Sequence, residues 1–222
     1  MSIRKTNLAN GEYYHVYNRG NSKQTIFHNN QDYFRFTSLL YACNSMNNFR
    51  TFGLAKKEGP YDFEREKQIV FIGCYCLMPN HFHILITQAE EGGISKFMQK
   101  ITTAYAMYYN KKYNRTGSLF EGKFKSEYLN NDRYLKYLFS YIHLNPVKLI
   151  QKDWKKIGIK NKEDTLRYLQ NYKQSSYLDY LEMKRIQNKI LNIEAFPKYF
   201  QSKKSFKIEI FEWLSYKNFN ND

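Results

Sequence analysis

Two apolar, strand-forming runs separated by a two-residue turn limit the folds open to this chain more than any other feature. The first run covers residues 69–78, Pro79-Asn80 follows, and the second run covers residues 81–88. Runs rich in β-branched and aromatic residues and bounded by turn residues are typical of strands. The sequence therefore predicts two strands joined by a tight turn.

Further elements are predicted on both sides of this hairpin, each from its apolar spacing and its capping residues. They are a strand over 12–18, a helix over 31–47 capped by Asn30, a helix from Gly93 to 114, an alternating strand over 119–129, and a helix that starts at Asn130 or Asn131 and ends before Pro146. The first six elements follow the order of a ferredoxin-like fold. We therefore predict an α+β fold, a ferredoxin-like antiparallel sheet with helices on one face.

The remainder of the chain is predicted to be less regular. Residues 1–150 form the main predicted domain, and the Lys-rich residues 151–222 have helical apolar spacing, which predicts a C-terminal helical appendage without catalytic motifs. The polar stretch 48–68 is predicted to be a loop. The three cysteines, Cys43, Cys74 and Cys76, lack metal-site spacing and are expected to be reduced core residues.

Charge and aromatic content indicate the class of partner. The chain has 35 Lys and Arg against 20 Asp and Glu, a net charge of +15, and 18% aromatic residues. A strong positive charge favours a polyanion, and aromatic faces stack on unpaired bases, so nucleic acid is favoured over a membrane. An AT-rich genome would enrich Lys, Asn, Tyr, Phe and Ile as well, so composition indicates a class of partner and no more. No apolar run is long enough to span a membrane, and a cytoplasmic location is expected.

The sharpest local pattern is His81-Phe82-His83 in the second predicted strand. A strand alternates its faces with a period of two, so both imidazoles point the same way while Phe82 points the other way. Such a pair is a candidate metal site. Two exposed or hydrogen-bonded histidines without a metal remain an alternative at this point.

A second pattern lies at the end of the last predicted helix. Tyr141 and Asn145 are four residues apart and therefore share one helix face. Tyr134 and Tyr137 lie on the same helix and are rivals for any role assigned to a tyrosine. Spacing alone does not choose among the three.

Four motifs together resemble the single-tyrosine HUH transposases, a family that includes insertion-sequence transposases and REP-associated tyrosine transposases. The motifs are YHVYNRG at 14–20, CLMPNHFH at 76–83, GSLFEGKFK at 117–125 and YIHLNPVK at 141–148. The resemblance spans roughly the first 150 residues. The NPVK ending and the appendage resemble the REP-associated branch more than the compact insertion-sequence enzymes.

The resemblance implies an activity and residues that perform it. Tyr141 would be the nucleophile that cleaves and rejoins hairpin-bearing single-stranded DNA through a 5′-phosphotyrosine intermediate, and His81, His83 and Asn145 would bind Mg²⁺ or Mn²⁺. A neutral phenol is a weak nucleophile, so help at the phosphate is expected. DNA-binding residues within the matched motifs or close to them would be Arg19, Lys23, Lys123, Lys125 and Lys148.

The resemblance also implies the protein's surroundings. The expected partner is single-stranded DNA with hairpins or palindromic repeats, bound by a monomer or homodimer in the bacterial cytoplasm, at the nucleoid. A non-catalytic, domesticated nucleic-acid-binding protein is the main alternative. A zinc hydrolase and a replication or conjugation nickase are two further alternatives, and the first would need a further strong metal ligand.

Overall fold

A computed structural model describes residues 8–46, 59–62 and 64–212 of the chain. Its centre is a four-stranded sheet made of β1 (Tyr13–Arg19), β2 (Val70–Met78), β3 (His81–Gln88) and β4 (Lys125–Tyr128). The strand order is β2-β3-β1-β4, and each neighbouring pair is antiparallel. The predicted ferredoxin-like α+β topology is confirmed.

Three helices cover this sheet. They are α1 (Asn30–Ala42) between β1 and β2, α2 (Gly93–Lys112) between β3 and β4, and α3 (Asp132–Leu144) after β4. The helix starts follow the capping residues of the sequence, with Asn131 accepting a hydrogen bond from the Tyr134 amide at 2.7 Å. The cap of α1 is Asn29 rather than the predicted Asn30.

The helices occupy both faces of the sheet, which corrects the expectation of helices on one face. Side chains such as Val16 and Ile84 pack in one cluster with α1 and α2. Cys76 and Leu85 point the other way and pack in a second cluster with Phe139 of α3. The physical reason is that β2 and β3 are apolar on both faces, so both faces need a covering layer.

Two boundaries differ from the sequence prediction near the end of this core. The predicted strand over 119–129 is reduced to β4, because Gly122 takes a left-handed backbone angle (φ +67°) that an extended strand does not allow. The chain also continues past α3 as a 3-10 helix over Asn145–Leu149. Pro146 fits there because a missing amide hydrogen costs nothing in the first turn of a helix.

The chain after residue 150 is helical, as predicted, and packs closely against the sheet. Its helices are α4 (Trp154–Ile157), α5 (Lys162–Asn171), α6 (Tyr177–Tyr180) and α7 (Lys203–Glu212), with short 3-10 helices at Ile186–Ile190 and Ile193–Ala195. A third apolar cluster joins α4 to α7 with the end of α3 and the turn after it. The proposed division at residue 150 stays a prediction.

The same segment covers the outer edge of β2. The Leu77 amide donates to the Gln174 carbonyl at 2.9 Å, and the Ser176 amide donates to the Tyr75 carbonyl at 3.0 Å. The Asn192 amide donates to the Ile72 carbonyl at 2.8 Å. An edge strand with unpaired backbone groups invites pairing with other chains, and these bonds remove that opportunity here.

Other expectations about the chain have mixed outcomes. All three cysteines are buried and free, as predicted. The predicted loop at 48–68 lies largely outside the described residues. No helix within the described ranges is long and apolar enough to cross a membrane.

Helix α7 allows a matched test of how firmly the C-terminal segment is packed. Ile210 is fully buried in the third cluster, whereas Ile208 on the same helix is 51% exposed. We expect Ile210→Ala to lower the free energy of unfolding by about 2–5 kcal/mol, and Ile208→Ala to lower it by less than about 1 kcal/mol. Urea denaturation measures both, and equal effects would contradict the packing described.

Candidate active site

A cleft of about 420 Å³ lies over one end of the sheet and brings together most of the predicted site residues. Its floor is formed by β1 and β3, and its wall by the end of α3 and the 3-10 turn that follows. The lining includes Tyr17, Arg19, Lys23, Asn80, His81, His83, Glu121, Lys125, Tyr141, Asn145, Lys148 and Lys155.

The two histidines of the His-x-His pattern share one face of β3, as the period of two predicted. Their ring centroids are 5.0 Å apart, while Phe82 packs on the opposite face among core aromatics. Burial lowers the pKa of His81 to about 4 and holds the pKa of His83 well below its usual value. Nearby lysines lower both pKa values further, so both rings are neutral at neutral pH and keep a lone pair.

Hydrogen bonds determine which ring nitrogen carries the proton in each case. The Asn80 carbonyl oxygen lies 2.6 Å from Nδ1 of His81, and its own NH₂ group donates to the Lys23 carbonyl. Because a carbonyl oxygen only accepts, Nδ1 of His81 donates and Nε2 keeps the lone pair.

His83 is held by a longer chain of polar contacts. Its Nδ1 lies 2.8 Å from Nε2 of His15, and Nδ1 of His15 faces the Glu127 carboxylate at 3.6 Å. A carboxylate only accepts, so this order leaves the lone pair of His83 on Nε2. The contact with His15 holds the pKa of Glu127 at about 2, so the carboxylate is charged.

The Tyr141 side chain, from α3, contacts both His83 and His15. Its ring centroid lies 5.6 Å from that of His83 and 5.9 Å from that of His15, both in edge-on contact. Its hydroxyl accepts a hydrogen bond from Lys155 Nζ at 2.9 Å. The structure thus places the Tyr141 oxygen in the cleft beside neutral imidazoles and an ammonium group.

The rival tyrosines are placed differently. The Tyr134 hydroxyl donates to Glu127 at 3.3 Å. The Tyr137 ring makes a tilted contact with the Tyr141 ring, with centroids 6.0 Å apart, and does not line the cleft. Tyr17 does line the cleft, but its hydroxyl donates to Glu127 at 2.8 Å, and burial raises its pKa. Geometry therefore distinguishes Tyr141, which spacing alone did not.

Asn145 has an environment suited to a ligand. Its side chain is 2% exposed, and its NH₂ group has no hydrogen-bond partner among the described residues. Contact with Asn145 opposes the lowering of the His81 pKa. The carbonyl oxygen of this amide, in a cleft with two neutral imidazoles, would complete a set of mixed nitrogen and oxygen donors that suits Mg²⁺ or Mn²⁺.

The predicted DNA-binding residues separate into two groups. Arg19, Lys23, Lys125 and Lys148 line the cleft, and Lys123 does not. Arg19 is paired with Glu121 by two hydrogen bonds, so part of its charge is already matched.

Sequence reasoning missed Lys155 and the contacts of His15 with Glu127. Lys155 lies 14 residues after Tyr141, beyond any helical or strand spacing that relates the two. His15 stands in a quoted motif, but its link to His83 depends on how β1 pairs with β3. No single-segment pattern predicts either contact.

The match to one family model agrees with the sequence resemblance. Residues 57–145 match the family model described as "Transposase IS200 like", a range that contains both histidines, Tyr141 and Asn145. Among solved structures, a REP-associated tyrosine transposase bound to a REP hairpin is similar at 12% identity and a TM-score of 0.48, over 84% of this chain and 90% of that chain. No curated protein matches the chain significantly.

The lowered histidine pKa values predict acid sensitivity. In the unfolded chain an imidazole has a pKa of about 6.5, whereas burial lowers the pKa of His15, His81, His83 and His143 in the fold. Below that unfolded value the unfolded state binds more protons, so folding stability is lost as pH falls. We expect the Tm, measured in EDTA, to fall steadily from pH 7 to pH 5.

His143 gives a control for that measurement, because burial lowers its pKa to about 3 and it lies outside the cleft. His143→Gln removes one titrating group, so its Tm should depend less steeply on pH than that of the unmodified protein. A Tm that stays constant between pH 7 and pH 5 would contradict the assignment of neutral buried imidazoles.

Proposed function

We propose that this chain, whose residues 57–145 match the IS200-like transposase model, belongs to that family and cleaves and rejoins hairpin-bearing single-stranded DNA with Tyr141 as its nucleophile. The observation that carries the proposal is the Tyr141 hydroxyl, which lies in a cation-lined cleft beside two neutral histidines. A phosphodiester is the anionic electrophile that such a cleft suits.

The proposed reaction is a phosphoryl transfer to the tyrosine. The Tyr141 oxygen forms a bond to the scissile phosphorus as the bond from phosphorus to the 3′ oxygen breaks. The products are a 5′-phosphotyrosine and a free 3′-hydroxyl. Bond energy is retained, so a second 3′-hydroxyl can reverse the step without nucleotide hydrolysis. Lys125 and Lys148, which line the cleft, would hold neighbouring phosphates of the strand.

His81, His83 and Asn145 would hold a divalent ion, Mg²⁺ or Mn²⁺. When bound, the ion would supply charge that polarises the scissile phosphate. In the hydrogen-bonded arrangement described, Nε2 of each histidine carries the lone pair, and the Asn145 side chain is buried. Among the described residues, no three His, Cys, Asp or Glu side chains form a metal cluster, so an amide is the third ligand that the site offers.

The same observations weigh against the alternatives. A zinc hydrolase needs three strong ligands, which the described residues do not bring together. A non-catalytic binding protein would need only the cations of the cleft. It would not need neutral histidines with fixed ring orientations or the Tyr141 phenol in contact with them. Hairpin recognition, the choice between monomer and homodimer, and a place at the bacterial nucleoid are parts of the proposal that the family resemblance suggests.

The nucleophile can be tested with two variants of α3. Incubation with hairpin single-stranded DNA and Mn²⁺ should give a covalent adduct that survives denaturing electrophoresis. Tyr141→Phe should form none, because the attacking oxygen is missing, whereas Tyr137→Phe should form it normally, since Tyr137 does not line the cleft. An adduct with Tyr141→Phe would exclude Tyr141 as the nucleophile.

Metal binding can be tested by substituting the two histidines and the glutamate at the end of the hydrogen-bonded chain. Mn²⁺ titration should show binding that the His81→Ala, His83→Ala double variant loses. Glu127→Gln should weaken binding by about 10- to 100-fold, because it removes the charged end of the chain that orients His83.

Glu121→Gln is the matched control for that titration. Glu121 also lines the cleft, but it pairs with Arg19 rather than with a histidine. Its substitution should leave Mn²⁺ affinity within about twofold of the unmodified value, a few tenths of a kcal/mol. Equal losses in the two glutamate variants would show that general charge, rather than the histidine chain, determines affinity.

A further inference from the structure

We infer that Lys155, from the segment after residue 150, acts directly on the nucleophile by stabilising the negative charge on the Tyr141 oxygen while the phosphotyrosine bond forms and breaks. The inference rests on the proposed function. It assigns to the C-terminal segment a catalytic residue that neither the sequence motifs nor the matched range 57–145 contains.

Lys155 contacts Tyr141 in two ways. Its Nζ donates a hydrogen bond to the phenol oxygen at 2.9 Å and lies 4.1 Å from the centroid of the Tyr141 ring. An ammonium group has three donors and no acceptor, so the phenol oxygen is the acceptor. The contact therefore favours negative charge on this oxygen and does not remove the phenol proton.

The local fold holds Lys155 in this position. Trp154 is buried in the third apolar cluster, and Leu144 at the end of α3 belongs to the same cluster. The Gly158 amide donates to the Trp154 carbonyl at 2.9 Å, and the Gln151 side chain donates to the Gly158 carbonyl at 2.7 Å. Lys155 thus extends from a packed, hydrogen-bonded turn that is anchored to the helix carrying Tyr141.

The charge on the phenol oxygen matters in both directions of the reaction. In cleavage, the oxygen bonds to phosphorus and its proton passes to solvent, while the 3′ oxygen leaves with its electron pair and takes up a proton. In rejoining, a 3′-hydroxyl bonds to phosphorus and its proton passes to solvent, while the Tyr141 oxygen leaves with the electron pair of the broken bond and then takes up a proton. Lys155 keeps its protons throughout and stabilises the anionic oxygen at each step.

The first test compares single-turnover rates of adduct formation and rejoining in three variants. Lys155→Met keeps the length of the side chain without its charge and should slow both steps by about 100-fold, the effect of removing one donor to a developing oxyanion. Lys155→Arg should recover most of the rate. Lys156→Met, on the same turn but outside the cleft, should match the unmodified protein.

The second test separates charge stabilisation from DNA binding and from folding. Replacement of Tyr141 by 3,5-difluorotyrosine, a more acidic phenol, should recover much of the rate lost in Lys155→Met, since a more acidic phenol needs less stabilisation as an anion. DNA affinity, measured by gel shift in EDTA, and the Tm should change by much less than the rates.

The outcomes distinguish this inference from the proposed function. If the unmodified protein forms no adduct through Tyr141, both are overturned. If the adduct forms and Lys155→Met reacts at the unmodified rate, only the role of Lys155 is overturned. The same holds if Lys155→Met loses as much DNA affinity as rate and fluorination of Tyr141 recovers none of the rate.

Discussion

The antiparallel pairing of β1 with β3 is the constraint on which the candidate site depends. In this register Tyr17 lies opposite His83, and Arg19 lies opposite His81. Pairing of β1 with β4 then places His15 opposite Glu127. A shift of one residue in either pairing would turn these side chains to the other face of the sheet. The chain of contacts from Glu127 to His83 is therefore a product of strand register.

Register also explains which parts of the site the sequence could predict. The face shared by His81 and His83 follows from the period of one strand, and the hairpin bounds follow from one apolar run and its turn. Contacts between strands can be predicted only when the pairing register is known, and the register of β2 against β3 changes within the strand. A bulge between Ile72 and Cys74 reverses the alternation, so these two side chains pack in opposite clusters.

The segment after residue 150 shows the limit of reasoning from motifs. Its helical pattern was predicted, but a pattern of apolar spacing does not say which surface it will cover. Its backbone pairs with the outer edge of β2, and the partly buried Arg185 holds that contact by donating hydrogen bonds to the Ser175 carbonyl, the Tyr75 hydroxyl and Asp179. A part of the chain that lacks catalytic motifs thereby completes both the sheet edge and the cleft.

The distribution of charge connects the net charge of +15 to the chemistry proposed for the cleft. The lysines that line the cleft would attract an anionic backbone. Burial is the main cause of the lowered pKa of His81 and of His83, and Lys148 and Lys155 lower both pKa values further. The same cations that would bring a phosphate to the site therefore add to the effect of burial in keeping the imidazoles neutral, the form that would bind a metal. Lys155 adds a third effect, because its ammonium group contacts the phenol oxygen directly. In the proposed reaction, substrate attraction, the protonation of the metal ligands and stabilisation of the nucleophile would all depend on one small group of positive charges.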